Sequence, residues 1–107
     1  FGLGGIFVEV FQDVAFRLAP IGRTEADLLI RETKGYKLLT GFRGRPRADL
    51  DALRKNLMNL SDLAVNHPEI SEMDINPLLV HGEGEGTTLV DCRMILKSPQ
   101  TTSSPER

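Results

Sequence analysis

Only one cysteine, Cys92, occurs in the 107 residues, so no intramolecular disulfide can form and the chain suits a reducing compartment, the cytoplasm. Long apolar runs are also missing. Nothing approaches the roughly 20 residues that a spanning helix needs, and Phe1-Gly2-Leu3-Gly4-Gly5 lacks the basic flank and cleavage pattern of a signal peptide. No basic cluster is interleaved with aromatics, and 13 Lys and Arg against 15 Asp and Glu leave a formal charge of -2, which argues against nucleic-acid binding. Nothing repeats internally. What is present, 40% hydrophobic and 26% charged residues, suits one small globular domain with a modest core. The chain opens without methionine in a glycine-rich turn and reads as a piece of something longer. Residues 97–107 carry two prolines and no apolar periodicity, and read as a flexible tail or interdomain linker.

Residues 6–11 and 14–19, rich in branched and aromatic side chains around a Gln12-Asp13 break, predict a hairpin ended by Pro20 and Gly22. Thr24 stands at an N-cap position before a predicted helix over 25–34, whose apolar residues are Ala26, Leu29 and Ile30 and whose C-terminal cap is Gly35. Gly41-Phe42-Arg43-Gly44-Arg45-Pro46 breaks both helical and strand patterns and predicts a loop. From Asp49 to residue 66, Leu50, Leu53, Leu57, Leu60, Leu63 and Ala64 recur at steps of three and four, the stripe of a core-facing helix. That helix breaks before Pro68, with His67 in a partly exposed capping role, and Ile70 begins a strand. The fold class is α+β: a mostly antiparallel sheet with two helices on one face.

Met73-Asp74-Ile75-Asn76 alternates apolar and polar side chains, so Asp74 and Asn76 share one strand face. Leu78-Leu79-Val80, the turn His81-Gly82-Glu83-Gly84-Glu85-Gly86 and Thr87-Thr88-Leu89-Val90-Asp91 then predict a hairpin that brings Asp91 beside Asn76. Oxygen ligands so grouped suit Mg²⁺, which keeps several waters and takes further oxygens from a phosphorylated substrate. The same residues also fit a plain strand-ending turn, because Asp, Asn and Asn-Pro are turn formers. Cys92, beside Asp91 and with no catalytic partner at a recognisable spacing, reads as a buried core residue. His81 reads as a turn residue.

Gly2-Leu3-Gly4-Gly5-Ile6-Phe7-Val8-Glu9-Val10, Gly41-Phe42-Arg43-Gly44-Arg45-Pro46, Glu72-Met73-Asp74-Ile75-Asn76-Pro77-Leu78-Leu79-Val80 and Val90-Asp91-Cys92-Arg93 occur in one order. In that order they resemble the second half of the ATP-grasp domain of NDP-forming acyl-CoA synthetases. The domain is shared with ADP-forming acetate-CoA ligase, with acyl-CoA-synthetase-like protein acetyltransferases and, more distantly, with the succinyl-CoA synthetase β subunit. The likeness covers residues 1–96. It implies an ATP-grasp second subdomain in an enzyme that joins a carboxylic acid to CoA at the expense of ATP. The resemblance further implies release of ADP and phosphate through acyl-phosphate and phosphohistidine intermediates.

The resemblance implies Mg²⁺ binding by Asn76 and Asp91, and ATP or ADP as the bound nucleotide. Asp74, a position held by Glu in succinyl-specific relatives, is implied to support phosphate relay one step back from the cation. Glu9 follows the glycine turn and is a catalytic candidate for the same cleft, though a strand glutamate facing solvent fits equally. Arg43 and Arg45 are nucleotide-binding candidates through bidentate contacts to phosphoryl oxygens, against plain solvation of a surface loop. Cys92 stands where relatives commonly carry Ala. The implied partners, absent from this sequence, are the first ATP-grasp subdomain and a CoA-binding domain with the phosphohistidine. The chain alone is therefore expected to fold without ligase turnover. The alternative is a non-catalytic ATP-grasp-like regulatory domain of a protein acetyltransferase.

Overall fold

A computed structural model describes residues 1–4 and 12–98. The elements run α1 (Arg23–Arg31), α2 (Tyr36–Leu39), a 3₁₀ turn (Phe42–Gly44), α3 (Leu50–Asn66), β1 (Ile70–Ile75), β2 (Leu78–Val80), β3 (Thr87–Leu89) and β4 (Cys92–Leu96). The α+β class, with antiparallel strand pairs and few helices, is as the sequence predicts.

The long leucine-striped helix starts where its capping residue stands. Asp49 accepts a hydrogen bond from the Ala52 N–H at 3.1 Å, satisfying a donor that the first turn leaves unpaired. At the other end the His67 N–H donates to the Leu63 carbonyl at 3.0 Å, and Pro68 follows. Only the first turns of the stripe reach the core. Leu50 and Leu53 are buried with Ile30 of α1, and Phe1, Tyr36, Leu39, Leu57, Leu78 and Val80 pack around them. Leu57, Leu60 and Leu63 are half-buried and Ala64 is exposed, so the lower stripe lines an open groove rather than a closed core.

The first helix departs from its predicted bounds. It begins after Gly22, which makes no side-chain cap bond, so Thr24 lies inside it. It ends at Arg31 because the buried Asp13 carboxylate grips the next turn: it accepts from the Lys34 N–H at 2.6 Å and the Gly35 N–H at 2.7 Å. Gly35 is therefore the lead-in to α2 rather than a helix stop. A Cβ there would lie 3.3 Å from Asp13 Oδ2, so the glycine permits the grip. A side chain twenty-one residues away overrides local helix signals.

The first predicted hairpin is realised only in part. Residues 6–11 lie outside the described residues, and residues 14–19 form no strand. Val14 makes an isolated antiparallel bridge with Gly2, flanked by bonds from the Leu3 N–H to the Asp13 carbonyl at 3.2 Å and from the Ala15 N–H to the Phe1 carbonyl at 2.8 Å.

The C-terminal half is one antiparallel ribbon. β1 pairs with β4, with Asp74 opposite Arg93 and Ile75 opposite Cys92, and β2 pairs with β3, with Leu78 opposite Leu89. Between the two pairs the Asn76 N–H donates to the Asp91 carbonyl, and the Val90 N–H to the Pro77 carbonyl, each at 3.1 Å. The ribbon tip is clamped to the start of α3. The Asp49 N–H donates to the His81 carbonyl at 2.8 Å, and Asp49 Oδ2 accepts from the Gly86 N–H at 2.8 Å. Every residue of β4 is exposed, Cys92 included, which corrects the expectation of a core cysteine. An apolar strand pattern specifies a face, but burial needs a covering layer, and none of the described residues supplies one there.

Asp49 has a carboxyl held below the usual carboxylate range, chiefly by the Ala52 and Gly86 backbone N–H donors. Asp27 and Asp51 are lowered too, by Arg31 and Arg54 first respectively. These groups bind protons less readily folded than unfolded, so their contribution is present above the unfolded pKa of about 3.9 and is lost as pH falls through the folded values. We expect the thermal midpoint of Asp49→Asn to lie below that of the unmodified chain at pH 7, and the difference to shrink in acid below pH 4. Differential scanning calorimetry against pH checks both. A difference that stays constant into acid would show that the charge on Asp49 is irrelevant.

Candidate functional site

The ribbon, α3 and the first residues enclose a groove of about 1240 Å³, with Leu57, Leu60 and Leu63 on the helix side and Ile75, Asn76 and Leu89 on the ribbon side. Its walls are mainly apolar. Asn76 and Asp91 stand opposite each other at the middle of the ribbon, where the strand ladder is broken by Pro77, whose peptide bond with Asn76 is cis. The structure thus brings together the two residues that the hairpin pattern pairs.

A glycine fixes the space around Asn76. The backbone of Gly4 approaches so closely that a Cβ there would lie 2.9 Å from Asn76 Oδ1. Gly4 and the Asp-Ile-Asn-Pro segment, far apart along the chain, therefore meet at one amide oxygen. The fit to Mg²⁺ is chemical: one carboxylate and one amide supply hard oxygen atoms, and a cation that keeps waters and phosphate oxygens needs few protein ligands. Among the described residues no three His, Cys, Asp or Glu side chains come together as a metal cluster.

The remaining candidates are more scattered. Asp74 is exposed, two residues before Asn76, and faces Arg93 across the ribbon. Glu9 lies outside the described residues. Arg43 and Arg45 are exposed after α2, Arg43 inside the 3₁₀ turn Phe42–Gly44 where the sequence predicts a loop, and Arg43 stacks its guanidinium 5.3 Å from the centre of the Phe42 ring. Neither arginine lines the groove. His81 sits at the end of β2, with Nε2 2.6 Å from Thr88 Oγ1. Two features escaped sequence reasoning. Asp49 is a double clamp on helix and ribbon tip, and no local pattern marks the Gly86 contact. Gly4 appears in the sequence only as part of a weak Gly-x-Gly-Gly run, and its contact partner is far along the chain.

No helix among the described residues is long and apolar enough to cross a membrane. The chain spans less than half the length of the following relatives. It is 49% identical over 96 residues to acetate-CoA ligase (ADP-forming) I of Archaeoglobus fulgidus, covering 90% of this chain and 14% of that protein. To acetate-CoA ligase (ADP-forming) II subunit beta of Pyrococcus furiosus it is 47% identical over 98 residues, covering 91% and 42%. The dinucleotide-forming acetyl-coenzyme A synthetase 1 of Ca. Korarchaeum cryptofilum, solved with coenzyme A and Mg-AMPPCP, superposes with a TM-score of 0.85 at 46% identity, over 90% of this chain and 44% of that one. The ATP-grasp domain family model matches residues 1–96. With its ribbon and glycine turn meeting at Asn76, and with this match over nearly all of its length, the chain belongs to the ATP-grasp domain family.

Proposed function

We propose that this chain is the metal-bearing half of the nucleotide cleft of an ADP-forming acid-CoA ligase, which converts a carboxylate, CoA and ATP into acyl-CoA, ADP and phosphate. The observation that supports this reading is the opposition of Asn76 and Asp91 across the ribbon, joined by the 3.1 Å backbone bond and backed by Gly4. The names of the relatives favour a ligase over a non-catalytic regulatory domain.

Asn76 and Asp91 would hold Mg²⁺, which offsets negative charge on the phosphate oxygens of ATP or ADP when bound. Phosphoryl transfer depends mainly on positioning and charge neutralisation, and the chain's own residues serve both. Gly4 sets the position of the Asn76 amide oxygen, Asp91 supplies the negative charge, and Asp74 supports phosphate relay beside them. Arg43 and Arg45 would add phosphoryl contacts from their exposed segment, and Glu9 is the further acid proposed for the cleft. Residues 1–96 form the subdomain and 97–107 a tail or linker. The opposite wall of the cleft, and the domain that binds CoA and carries the phosphohistidine, come from elsewhere in a cytoplasmic protein.

The test compares the complete protein with residues 1–107 alone, each given acetate, CoA and MgATP. The complete protein should form acetyl-CoA and ADP, and the chain alone should form neither. CoA-dependent ADP release by the chain alone would contradict the half-cleft reading. AMP in place of ADP from the complete protein would contradict the reaction class.

A further inference from the structure

The ribbon face beside Asn76 and Asp91 carries a further charged group. Asp74 lies opposite Arg93, and Glu72 opposite Ile95. Directly opposed residues share a face, as do residues two apart on one strand. Glu72, Asp74, Arg93 and Ile95 border one depression of about 40 Å³ together with Met73. Arg93 is two residues beyond Asp91 on the same strand line, so their Cα atoms are roughly 6.5–7 Å apart. An extended arginine side chain spans that distance.

Among the described residues Arg93 is also uncommitted. Arg17, Arg23, Arg31 and Arg54 each hold a carboxylate. Arg93 is exposed and forms no hydrogen bond or ion pair among the described residues, although Asp74 faces it. A guanidinium left open beside two hard-oxygen groups complements phosphate oxygens that a cation at those groups leaves uncoordinated. The carboxylates of Glu72, Asp74 and Asp91 nearby repel a bare anion. The partner that fits is therefore a metal–nucleotide complex rather than free phosphate.

We propose that Arg93 is a phosphoryl-binding residue, donating to the phosphate oxygens of a nucleotide whose cation is held by Asn76 and Asp91. The inference rests on the metal reading of those two residues. The experiment is calorimetric titration of the complete protein with ADP in the presence of Mg²⁺, for the unmodified protein, Arg93→Ala, Arg93→Lys and Asp91→Ala. Arg93→Ala should raise the dissociation constant about tenfold or more. Arg93→Lys should fall between it and the unmodified protein, and added guanidinium ion should partly restore binding to Arg93→Ala alone. Affinity unchanged in Arg93→Ala but lost in Asp91→Ala would overturn the role of Arg93 and leave the metal reading standing. Affinity unchanged in both would overturn the two together. Should Arg93→Ala lose its fold, Arg93→Lys decides, because it keeps charge and stem: a several-fold loss supports the proposal, and unchanged affinity overturns it.

Discussion

Asp91→Ala in the complete protein is expected to lower the rate of ADP-forming turnover by about a hundredfold or more, with little change in thermal midpoint. Asp91 is exposed, and its contact with Asn76 runs through its backbone carbonyl, which alanine retains. The substitution therefore spares the ribbon and removes only a carboxylate. Steady-state kinetics across a Mg²⁺ series, beside a thermal melt, separates the two effects. Normal Mg²⁺-dependent turnover in the variant would exclude Asp91 from the site. Gly4→Ala is the companion experiment. A Cβ 2.9 Å from Asn76 Oδ1 must push that atom aside, and an asparagine side chain turns more cheaply than a backbone moves. The fold should survive while the proposed ligand atom shifts by a fraction of an ångström or more, and an error of about 1 Å can cost on the order of a hundredfold in rate. A variant as active as the unmodified protein would show that the position of Oδ1 is unimportant.

Leu53→Ala is expected to destabilise the chain by about 2–5 kcal/mol, against a total of about 5–15 kcal/mol for an ordinary domain. Leu53 and Ile30 are the largest fully buried side chains, each 1% exposed. They join α3 to α1, and the same helix anchors the ribbon tip through Asp49. A cavity there loosens the ribbon as well as the helices. Leu60→Ala, on the open part of the stripe, should cost much less because its side chain is already half-exposed to the groove. Chemical denaturation of both variants measures the difference. Equal losses would mean that the core extends along the whole helix.

Much of this molecule can be read from the chain because its strongest signals are local. Asp49 caps the helix whose leucines repeat at three and four, and the glycine-punctuated turn at 81–86 sets a register that leaves Asn76 facing Asp91. The errors have a common physical origin in contacts distant along the chain. The end of α1 is decided by Asp13, not by Gly35. Periodicity identifies Leu60, Leu63 and Cys92 as apolar positions but cannot say which layer covers them, and all three border open space or solvent. For the site, pattern alone leaves the Asp-x-Asn-Pro turn ambiguous. The approach of Gly4 to Asn76, on which the proposal draws, is a contact that only the folded chain reveals.

Cation binding at Asn76 and Asp91 is tested most directly with Mn²⁺ in place of Mg²⁺, following free Mn²⁺ by electron paramagnetic resonance as the complete protein is titrated in the presence of ADP. Asn76→Ala and Asp91→Ala should each weaken Mn²⁺ binding about tenfold or more while leaving metal-free ADP affinity unchanged. Mn²⁺ affinity equal to that of the unmodified protein in both variants would place the cation elsewhere.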